Sequence, residues 1–177
     1  MILAFNGTHP AIPTSAFVAP SVDVIGDVSL GEEANLWFGT VVRGDIHYVR
    51  IGRRTNIQDN CTVHVTEHDY PTVVGDEVTV GHNVVLHGCI IEDRCLIGMG
   101  AVVMDDVEVG AGSLIAGGAV LIPGTRVPPG SLFAGVPAKF RREVTDEERQ
   151  LIIDRAEEYV ALARQYQALD SEVKTGR

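Results

Sequence analysis

The chain has 177 residues, of which 45% are hydrophobic, and its 24 acidic and 14 basic side chains give a formal net charge of -10. This length and composition suit one globular domain with its own core, whereas the acidic charge argues against a nucleic acid partner. The N-terminus lacks the basic start and apolar run of a secretory signal and no stretch reaches transmembrane length, so we expect a cytoplasmic protein with no membrane partner.

A period of six residues dominates the chain. Aliphatic or aromatic side chains recur on it, and we call them the grid residues: Val18, Val24, Leu30, Leu36, Val42, Ile51, Ile57, Val63, Val74, Val80, Leu86, Ile91, Ile97, Val103, Val109, Ile115, Leu121, Val127 and Phe133. A short fixed period is typical of solenoids, here of the hexapeptide type of parallel β-helix. If three hexads close one triangular turn, as in hexapeptide-repeat proteins, residues 1–140 form an all-β solenoid of about six coils.

Two other positions of the hexad fit this interpretation. The fourth residue after the grid residue is again small or β-branched, as at Ala34 and Thr55, which predicts a second inward-facing position. The residue directly after the grid residue is often glycine, as at Gly52, Gly81 and Gly110. We expect these glycines to form the tight corners between strands.

A helical pattern follows the last hexad. Thr145 with Glu148 three residues later predicts a capping box. Apolar side chains then recur at helical spacing, at Ile152, Tyr159, Leu162 and Tyr166. We therefore expect a helix over 141–170, packed on the β-helix or on a neighbouring subunit, and a flexible tail over 171–177.

Insertions interrupt the grid beside a group of polar residues. Three extra residues separate Val42 from Ile51, and five extra residues separate Val63 from Val74. Insertions in a solenoid map to loops on one face, which is often the binding face. These two loops therefore indicate where a functional site lies.

When the two insertions are treated as loops and left out of the count, hexads that are three apart in number lie on the same face. Arg43, His64 and His87 each follow a grid residue by one and should stack in one column on successive coils. Asp59 and His82 each follow a grid residue by two and form a second column on the next face. Gln58 lies beside that second column.

Histidines on adjacent coils suggest a metal site. His64 and His87 could both bind one metal ion at about 2.0 to 2.1 Å. His82 points elsewhere and could complete the site only from a neighbouring chain, which a head-to-tail, three-fold assembly would supply. The alternative is that these histidines are ordinary surface residues, but their off-grid positions and polar neighbours favour metal binding.

The ordered set of motifs resembles the gamma-class carbonic anhydrases. It consists of Arg43-Gly44-Asp45, Asn56-Ile57-Gln58-Asp59, His64, and Gly81-His82 with His87, and the resemblance spans the chain from about residue 10 to the C-terminal helix. It implies a left-handed β-helix that forms a homotrimer with a catalytic zinc ion, or iron or cobalt, between subunits. His64 and His87 would bind the metal from one chain and His82 from the adjacent chain.

The resemblance also implies an activity, the reversible hydration of carbon dioxide to bicarbonate by a metal-bound hydroxide. Gln58 would hold the metal-bound water or bicarbonate, and Asn56 would orient it. Arg43, Asp45 and Asp59 would organise the subunit interface and the anion pocket.

One departure from the family pattern concerns proton transfer. Ile46 stands directly after Asp45, where active members carry a proton-shuttling glutamate, and the long acidic loop between the first two metal histidines is missing. We therefore expect slow turnover, with Glu67 and His68 as candidate shuttles because a carboxylate and an imidazole can both carry a proton.

Other functions stay open on the sequence alone. The segment Phe133–Lys139 resembles the end of hexapeptide acyltransferases that use coenzyme A, in which one histidine acts as a base and no metal is needed. A catalytically weak metal-binding scaffold and a thioesterase-like hydrolase would also keep the three histidines. The native metal is open as well, since imidazole ligands suit zinc, iron and cobalt alike.

Overall fold

The computed structural model describes the backbone of residues 1–175 and the side chains of residues 1–169. Within that part, short strands lead into one long helix, α1 (Asp146–Thr175). The first strands are β1 (Ile2–Leu3), β2 (Phe17–Val18), β3 (Asp23–Leu30), β4 (Asn35–Leu36), β5 (Val41–Ile51), β6 (Asn56–Ile57) and β7 (Thr62–His64). They are followed by β8 (Thr72–Val74), β9 (Thr79–Val80), β10 (Val85–His87), β11 (Ile90–Ile91), β12 (Leu96–Ile97) and β13 (Val102–Val103). The last are β14 (Glu108–Val109), β15 (Leu114–Ile115), β16 (Val120–Leu121), β17 (Arg126–Val127), β18 (Ser131–Ala134) and β19 (Lys139–Glu143).

The parallel strands form the three faces of a prism. Face I contains β1, the first halves of β3 and β5, and then β7, β10, β13 and β16. Face II contains the second halves of β3 and β5, and then β8, β11, β14 and β17. Face III contains β2, β4, β6, β9, β12, β15 and β18. The chain passes from face I to II to III in every coil, so we name the edges I–II, II–III and III–I.

The predicted parallel β-helix is confirmed, but its length was underestimated. The solenoid has about seven turns rather than six. The extra coil precedes the first complete set of grid residues: β1 pairs with β3 through Ile2 and Val24, and Ala11 forms a bridge with Ser29. Backbone hydrogen bonds hold this coil in place. It does not have a grid residue on each of its three sides, so the six-residue pattern does not reveal it.

The grid residues form the core. All of them are buried except Val18, which is half-buried. The second inward position is also buried, as at Ala34 and Thr55, and the Thr55 hydroxyl donates to the Gly75 carbonyl oxygen at 2.6 Å. An inward hydroxyl therefore keeps a hydrogen-bond partner, as a buried polar group must.

The corners lie two residues later than the glycines had indicated. Along edge II–III the third residue after each grid residue has positive φ: Glu33, Arg54, Glu77, Arg94, Gly112 and Gly130. The glycines directly after the grid residues serve another purpose, because the next coil lies against them. A Cβ on Gly110 would lie 2.6 Å from the backbone nitrogen of Pro129, and one on Gly81 would lie 2.8 Å from that of Met99.

A ladder of charges runs along edge II–III. Arg54 Nη1 lies 3.2 Å from Glu33 Oε2, and Arg54 Nε lies 3.7 Å from Glu77 Oε1. Helix α1 extends this ladder, since Arg164 pairs with Glu33 and Glu157 lies 3.9 Å from Arg54. The helix therefore follows the corners of several successive coils.

The capping box at the start of α1 is confirmed. Thr145 N donates to Glu148 Oε2 at 2.9 Å, and Glu148 N donates to Thr145 Oγ1 at 3.2 Å. The predicted end near residue 170 was short, because no glycine or proline interrupts residues 146–175. The predicted tail over 171–177 is thus helical as far as Thr175, and residues 176–177 lie outside the described residues.

Small residues let α1 approach face III closely. Its buried side chains are Ile152, Ala156, Val160 and Ala163. Tyr159 and Tyr166 pack edge-on against Trp37, each at a ring-centroid distance of 5.3 Å. Leu162 is exposed, so at that position the apolar stripe does not pack on the β-helix of the same chain. In the described part of the chain no helix is long and apolar enough to cross a bilayer.

An antiparallel strand that the sequence did not predict closes the last coil. The chain reverses after β18, and β19 pairs with β18 through Leu132 with Arg142 and Phe133 with Phe140. The β-structure consequently continues to Glu143 and leads directly into the capping box of α1.

The close approach of the coils gives a first prediction. Gly110→Ala places a methyl group against Pro129 and should lower the free energy of unfolding by about 1 to 3 kcal/mol, the usual cost of overpacking. Gly117→Ala is the control, because its nearest neighbour, Met99 O, would be 3.3 Å away. Thermal or urea unfolding measures both, and equal losses in the two variants would contradict this explanation of the glycines.

The cap of α1 gives a second prediction. The hydrogen bond from Arg142 and that from Thr145 N lower the pKa of Glu148 from 4.5 to about 2. The stabilisation is therefore complete above pH 4.5 and is lost as the pH falls through about 2. Glu148→Gln should lower the melting temperature at pH 7, and its difference from the wild type should shrink between pH 4.5 and 2. Glu158→Gln, in the same helix, controls for net charge; a Glu148→Gln effect independent of pH would refute the assignment.

Candidate metal centre

Two histidine rings face each other across adjacent coils at edge I–II. His64 ends β7, His87 ends β10, and the two residues are in register, as the column prediction requires. His64 Nδ1 lies 3.2 Å from His87 Nε2. Two nitrogens bound to one tetrahedral metal at about 2.0 to 2.1 Å are roughly 3.3 Å apart. The separation therefore fits a single metal ion bound by both rings.

The imidazole ring of each of the three candidate ligands contacts a carboxylate through one nitrogen. The pairs are His64 Nε2 with Asp45 Oδ1 at 3.0 Å, His87 Nδ1 with Asp105 Oδ1 at 2.7 Å, and His82 Nδ1 with Asp59 Oδ2 at 2.8 Å. A neutral imidazole that donates to a carboxylate presents the lone pair of its other nitrogen. Carboxylates in this position typically fix the tautomer and orientation of metal-binding histidines.

If each ring donates its N–H to its carboxylate, the lone pairs of His64 and His87 face each other. With both rings donating to their carboxylates, His64 Nδ1 and His87 Nε2 are both acceptors, and two acceptors 3.2 Å apart repel unless a cation or a proton lies between them. The donor set and its spacing thus fit a divalent metal that prefers nitrogen ligands.

Electrostatics at His64 keep the ring neutral. Burial lowers the pKa of His64, and the nearby Arg43 and His87 add to this effect against the opposing hydrogen bond to Asp45. Burial alone would raise the pKa of Asp45, but the hydrogen bonds from Arg43 and His64 outweigh it and hold that pKa below its usual value. A neutral imidazole beside an ionised carboxylate is the protonation state that metal binding needs.

The second column lies at edge III–I, on the other side of face I. Here a cavity of about 300 Å³ is lined by His82, Gln58, Met99, Tyr159 and neighbouring residues. Gln58 Nε2 donates to Asn56 Oδ1 at 3.1 Å, and Asn56 Nδ2 donates to Thr79 Oγ1 at 2.8 Å. This relay orients the Gln58 side chain so that its carbonyl oxygen is available as an acceptor beside His82.

One chain does not assemble a complete site. His64 and His87 lie at edge I–II, whereas His82 and Asp59 lie at edge III–I. Over residues 1–169, no three histidine, cysteine, aspartate or glutamate side chains form a group that could hold a metal ion. His82 could bind the same ion as His64 and His87 only from a second chain, and that sharing stays a prediction.

The candidate proton shuttles lie apart from the histidine pair. Glu67 and His68 are exposed at the tip of the loop after β7, with His68 Nε2 3.5 Å from Glu67 Oε1. Within the described residues they make no hydrogen bond or ion pair with His64 or His87. Ile46, at the position of the missing glutamate, is also largely exposed and lines a cavity of about 260 Å³ with Asp45.

Sequence reasoning missed Asp105. Its Oδ1 accepts hydrogen bonds from both His87 and Thr66, which connects the loop after β7 to the histidine pair. A signal was present, since Asp105 follows the grid residue Val103 on the coil next to His87. That signal is weaker than the one that joined Asp59 to His82, because Asp105 follows its grid residue by two whereas His87 follows its own by one, so the register places Met104 opposite His87.

Comparisons with known proteins agree on the fold and the family. The family described as bacterial transferase hexapeptide (six repeats) matches residues 71–103 and 88–123. The chain is 44% identical to the carbonic anhydrase of Geobacillus kaustophilus, covering 97% of this chain and 94% of that protein. A solved Bacillus cereus structure, named only provisionally as an acetyltransferase, superposes with a TM-score of 0.93 at 42% identity over 95% of this chain and 97% of that one.

A plant relative is longer. The chain is 46% identical to gamma carbonic anhydrase 1, mitochondrial, of Arabidopsis thaliana over 90% of its own length, but it spans 60% of that protein. The likeness therefore concerns the β-helix and α1 and leaves the remainder of the plant protein unmatched.

The carboxylate on His87 gives a third prediction. Asp105→Asn removes the charge that fixes the His87 tautomer and should weaken metal affinity about 10- to 100-fold, as loss of such partners typically does. Asp106→Asn is the matched control, because the Asp106 carboxylate is similarly exposed but pairs with Arg126. Competition with a chromophoric chelator measures the affinity, and equal values for the wild type and Asp105→Asn would refute the role of Asp105.

Proposed function

The chain belongs to the gamma carbonic anhydrase family of hexapeptide-repeat, left-handed β-helix proteins, and on that premise we propose that it catalyses the reversible hydration of carbon dioxide to bicarbonate. The reaction takes place at metal sites between the subunits of a homotrimer. The observation that carries this proposal is the pair of imidazole nitrogens 3.2 Å apart, with each ring in contact with a carboxylate.

The third ligand is His82 of the adjacent subunit. The two edges of face I carry the two halves of the site, His64 with His87 at edge I–II and His82 with Gln58 at edge III–I. A head-to-tail contact between these edges brings one chain's His82 to the neighbour's pair, and three-fold closure repeats the contact around the ring. Arg43, Asp45 and Asp59 lie at these edges and organise the contact.

The histidines, carboxylates and amides have different roles in the proposed reaction. A zinc, iron or cobalt ion held there would supply acidity to water near neutral pH. His64, His82 and His87 hold the ion, while Asp45, Asp59 and Asp105 keep the rings in the required tautomer. The Gln58 carbonyl oxygen accepts a hydrogen bond from the attacking water or from bicarbonate, and Asn56 prevents the amide from rotating. Arg43 adds positive charge where the bicarbonate anion forms.

Proton release limits the rate. Hydration of one carbon dioxide molecule produces one bicarbonate and one proton, and the proton must reach the solvent before the next cycle. Ile46 has no titratable group, so the proton passes to buffer or, as a slower route, through Glu67 and His68. We therefore place this chain among the slower members of its family; its cytoplasmic location and its preference among zinc, iron and cobalt remain predictions.

Acyl transfer from coenzyme A is the alternative that the Bacillus cereus name favours. An acyltransferase would need one histidine as a base beside an acceptor group, whereas here three histidines each rest on a carboxylate. The geometry therefore favours metal chemistry, and the shared segment Phe133–Lys139 reflects the common fold. A weakly active metal-binding scaffold and a thioesterase remain the other two alternatives.

Mixing two inactive variants tests both the reaction and the shared site. His82→Ala and His87→Ala should each remain folded but lose bound metal and carbon dioxide hydration. Refolding them together in equal amounts should restore about a quarter of the sites, because three quarters of randomly formed trimers are mixed and each mixed trimer has one complete interface in three. Elemental analysis and stopped-flow hydration with a pH indicator measure the two quantities.

The outcomes separate the alternatives. Metal retained in full by His82→Ala would refute the shared site. Metal bound by the wild type without hydration would favour the scaffold or the thioesterase, which a panel of thioesters would distinguish. Wild-type protein that cannot be loaded with metal but transfers an acetyl group from acetyl coenzyme A would establish the acyltransferase.

A further inference from the structure

The charge ladder at edge II–III is interrupted at its fifth position. The corner residues alternate in sign through Glu33, Arg54, Glu77 and Arg94, and the next corner is Gly112, which carries no side chain. Arg54 pairs with carboxylates on both neighbouring coils. Among the described residues Arg94 has neither a side-chain hydrogen bond nor an ion pair.

A second guanidinium occupies the space over the missing side chain. Arg149 of α1 lies above the corner glycines, since an ideal Cβ on Gly112 would be 3.9 Å from Arg149 Nη1 and one on Gly130 would be 3.3 Å from it. The nearest carboxylate to Arg149 is that of Asp146, at 3.7 Å and fully exposed, which is too long for a hydrogen bond. Two cationic side chains therefore lie at this corner, and among the described residues the exposed carboxylate of Asp146 is the one anion within 4 Å of either of them.

The two arginines line a cavity of about 290 Å³. Its other walls are Ala111, Gly112, Ile152 and Ile153, so an apolar surface from α1 faces the guanidinium groups. The acidic residues on the adjoining turns are already engaged: Glu92 Oε2 accepts from Ala111 N at 2.8 Å, and Asp93 Oδ1 accepts from Asp76 N at 2.8 Å. In the described part of the chain neither of them forms an ion pair with Arg94.

We propose that this cavity binds a small organic oxyanion, a carboxylate or a phosphate ester with a short apolar chain. The oxyanion lies between Arg94 and Arg149, where it takes the place in the ladder that a glutamate at position 112 would fill. A planar guanidinium matches carboxylate and phosphate oxygens with paired hydrogen bonds. The apolar chain packs against Ile153, which is partly exposed in the free protein.

The cavity is distinct from the candidate metal centre. Both halves of that centre lie on the edges of face I, whereas the arginines lie on edge II–III, opposite that face. Assembly through the edges of face I therefore leaves the cavity open to solvent. A ligand there would also bridge the solenoid and α1, because Arg94 belongs to one and Arg149 to the other.

Calorimetric titration of the purified, metal-loaded protein tests the proposal, with inorganic phosphate, butyl phosphate and butyrate as probes. We expect saturable binding of one anion per chain. Arg94→Gln and Arg149→Gln should each weaken it about tenfold or more, the usual loss for a hydrogen bond to a charged group. Arg53→Gln, on the same edge but paired with Asp76, is the control and should bind as the wild type does.

Gly112→Asp is a second, independent variant. Its φ of 67° is one that aspartate tolerates better than most residues, and an added Cβ would meet only Arg149. The new carboxylate should abolish anion binding and raise the melting temperature of the ligand-free protein. Preference for butyl phosphate or for butyrate assigns the ligand class. Absence of saturable binding, or binding that survives both arginine variants, would overturn the proposal, including the case in which the anion binds at the metal.

Discussion

Backbone hydrogen bonding between coils is the constraint on which the rest of the structure depends. Parallel strands on successive coils lie about 4.8 Å apart, and their register is continuous along each face. Residues at the same offset in hexads three apart are therefore held side by side, whatever their chemistry. In the interior this produces stacked aliphatic side chains, and at the edges it produces His64 beside His87, Asp59 beside His82, and Arg54 between Glu33 and Glu77.

The same constraint explains what the sequence could predict. The grid residues, the columns and the capping box of α1 follow from periodicity and local chemistry, and the structure has all three. Periodicity could not reveal the first coil, which lacks a full set of grid residues, nor β19, which pairs in the opposite direction. The role of the glycines was also misjudged, because the contact between Gly110 and Pro129 joins different coils and leaves no mark in the local sequence.

The same distinction applies at the candidate site, where periodic positions could be predicted and individual side-chain contacts could not. Stacking identified His64, His87, Asp59 and His82, whereas the tautomers and lone pairs depend on carboxylate contacts such as that of Asp105. Those contacts decide the chemistry, because a histidine that donates one ring hydrogen to an aspartate keeps its other nitrogen as a ligand. The pattern of residues predicted where a metal could bind, and the hydrogen bonds explain why a cation fits there.

The length of helix α1 matches the number of coils that it spans. Solenoids ordinarily gain or lose repeats, since each repeat contacts only its neighbours. Here the helix contacts corners on many coils, from Glu33 near Arg164 to Gly130 near Arg149. Arg149 and Arg164 are fifteen helical steps apart, or about 22 Å, and Glu33 and Gly130 are five coil spacings apart, or about 24 Å. Duplication of one coil would require roughly three more helical residues and would rotate the helix by most of a turn, moving Ile152 and Ala156 off face III. A coil added between these two contacts would therefore need a matching insertion in the helix.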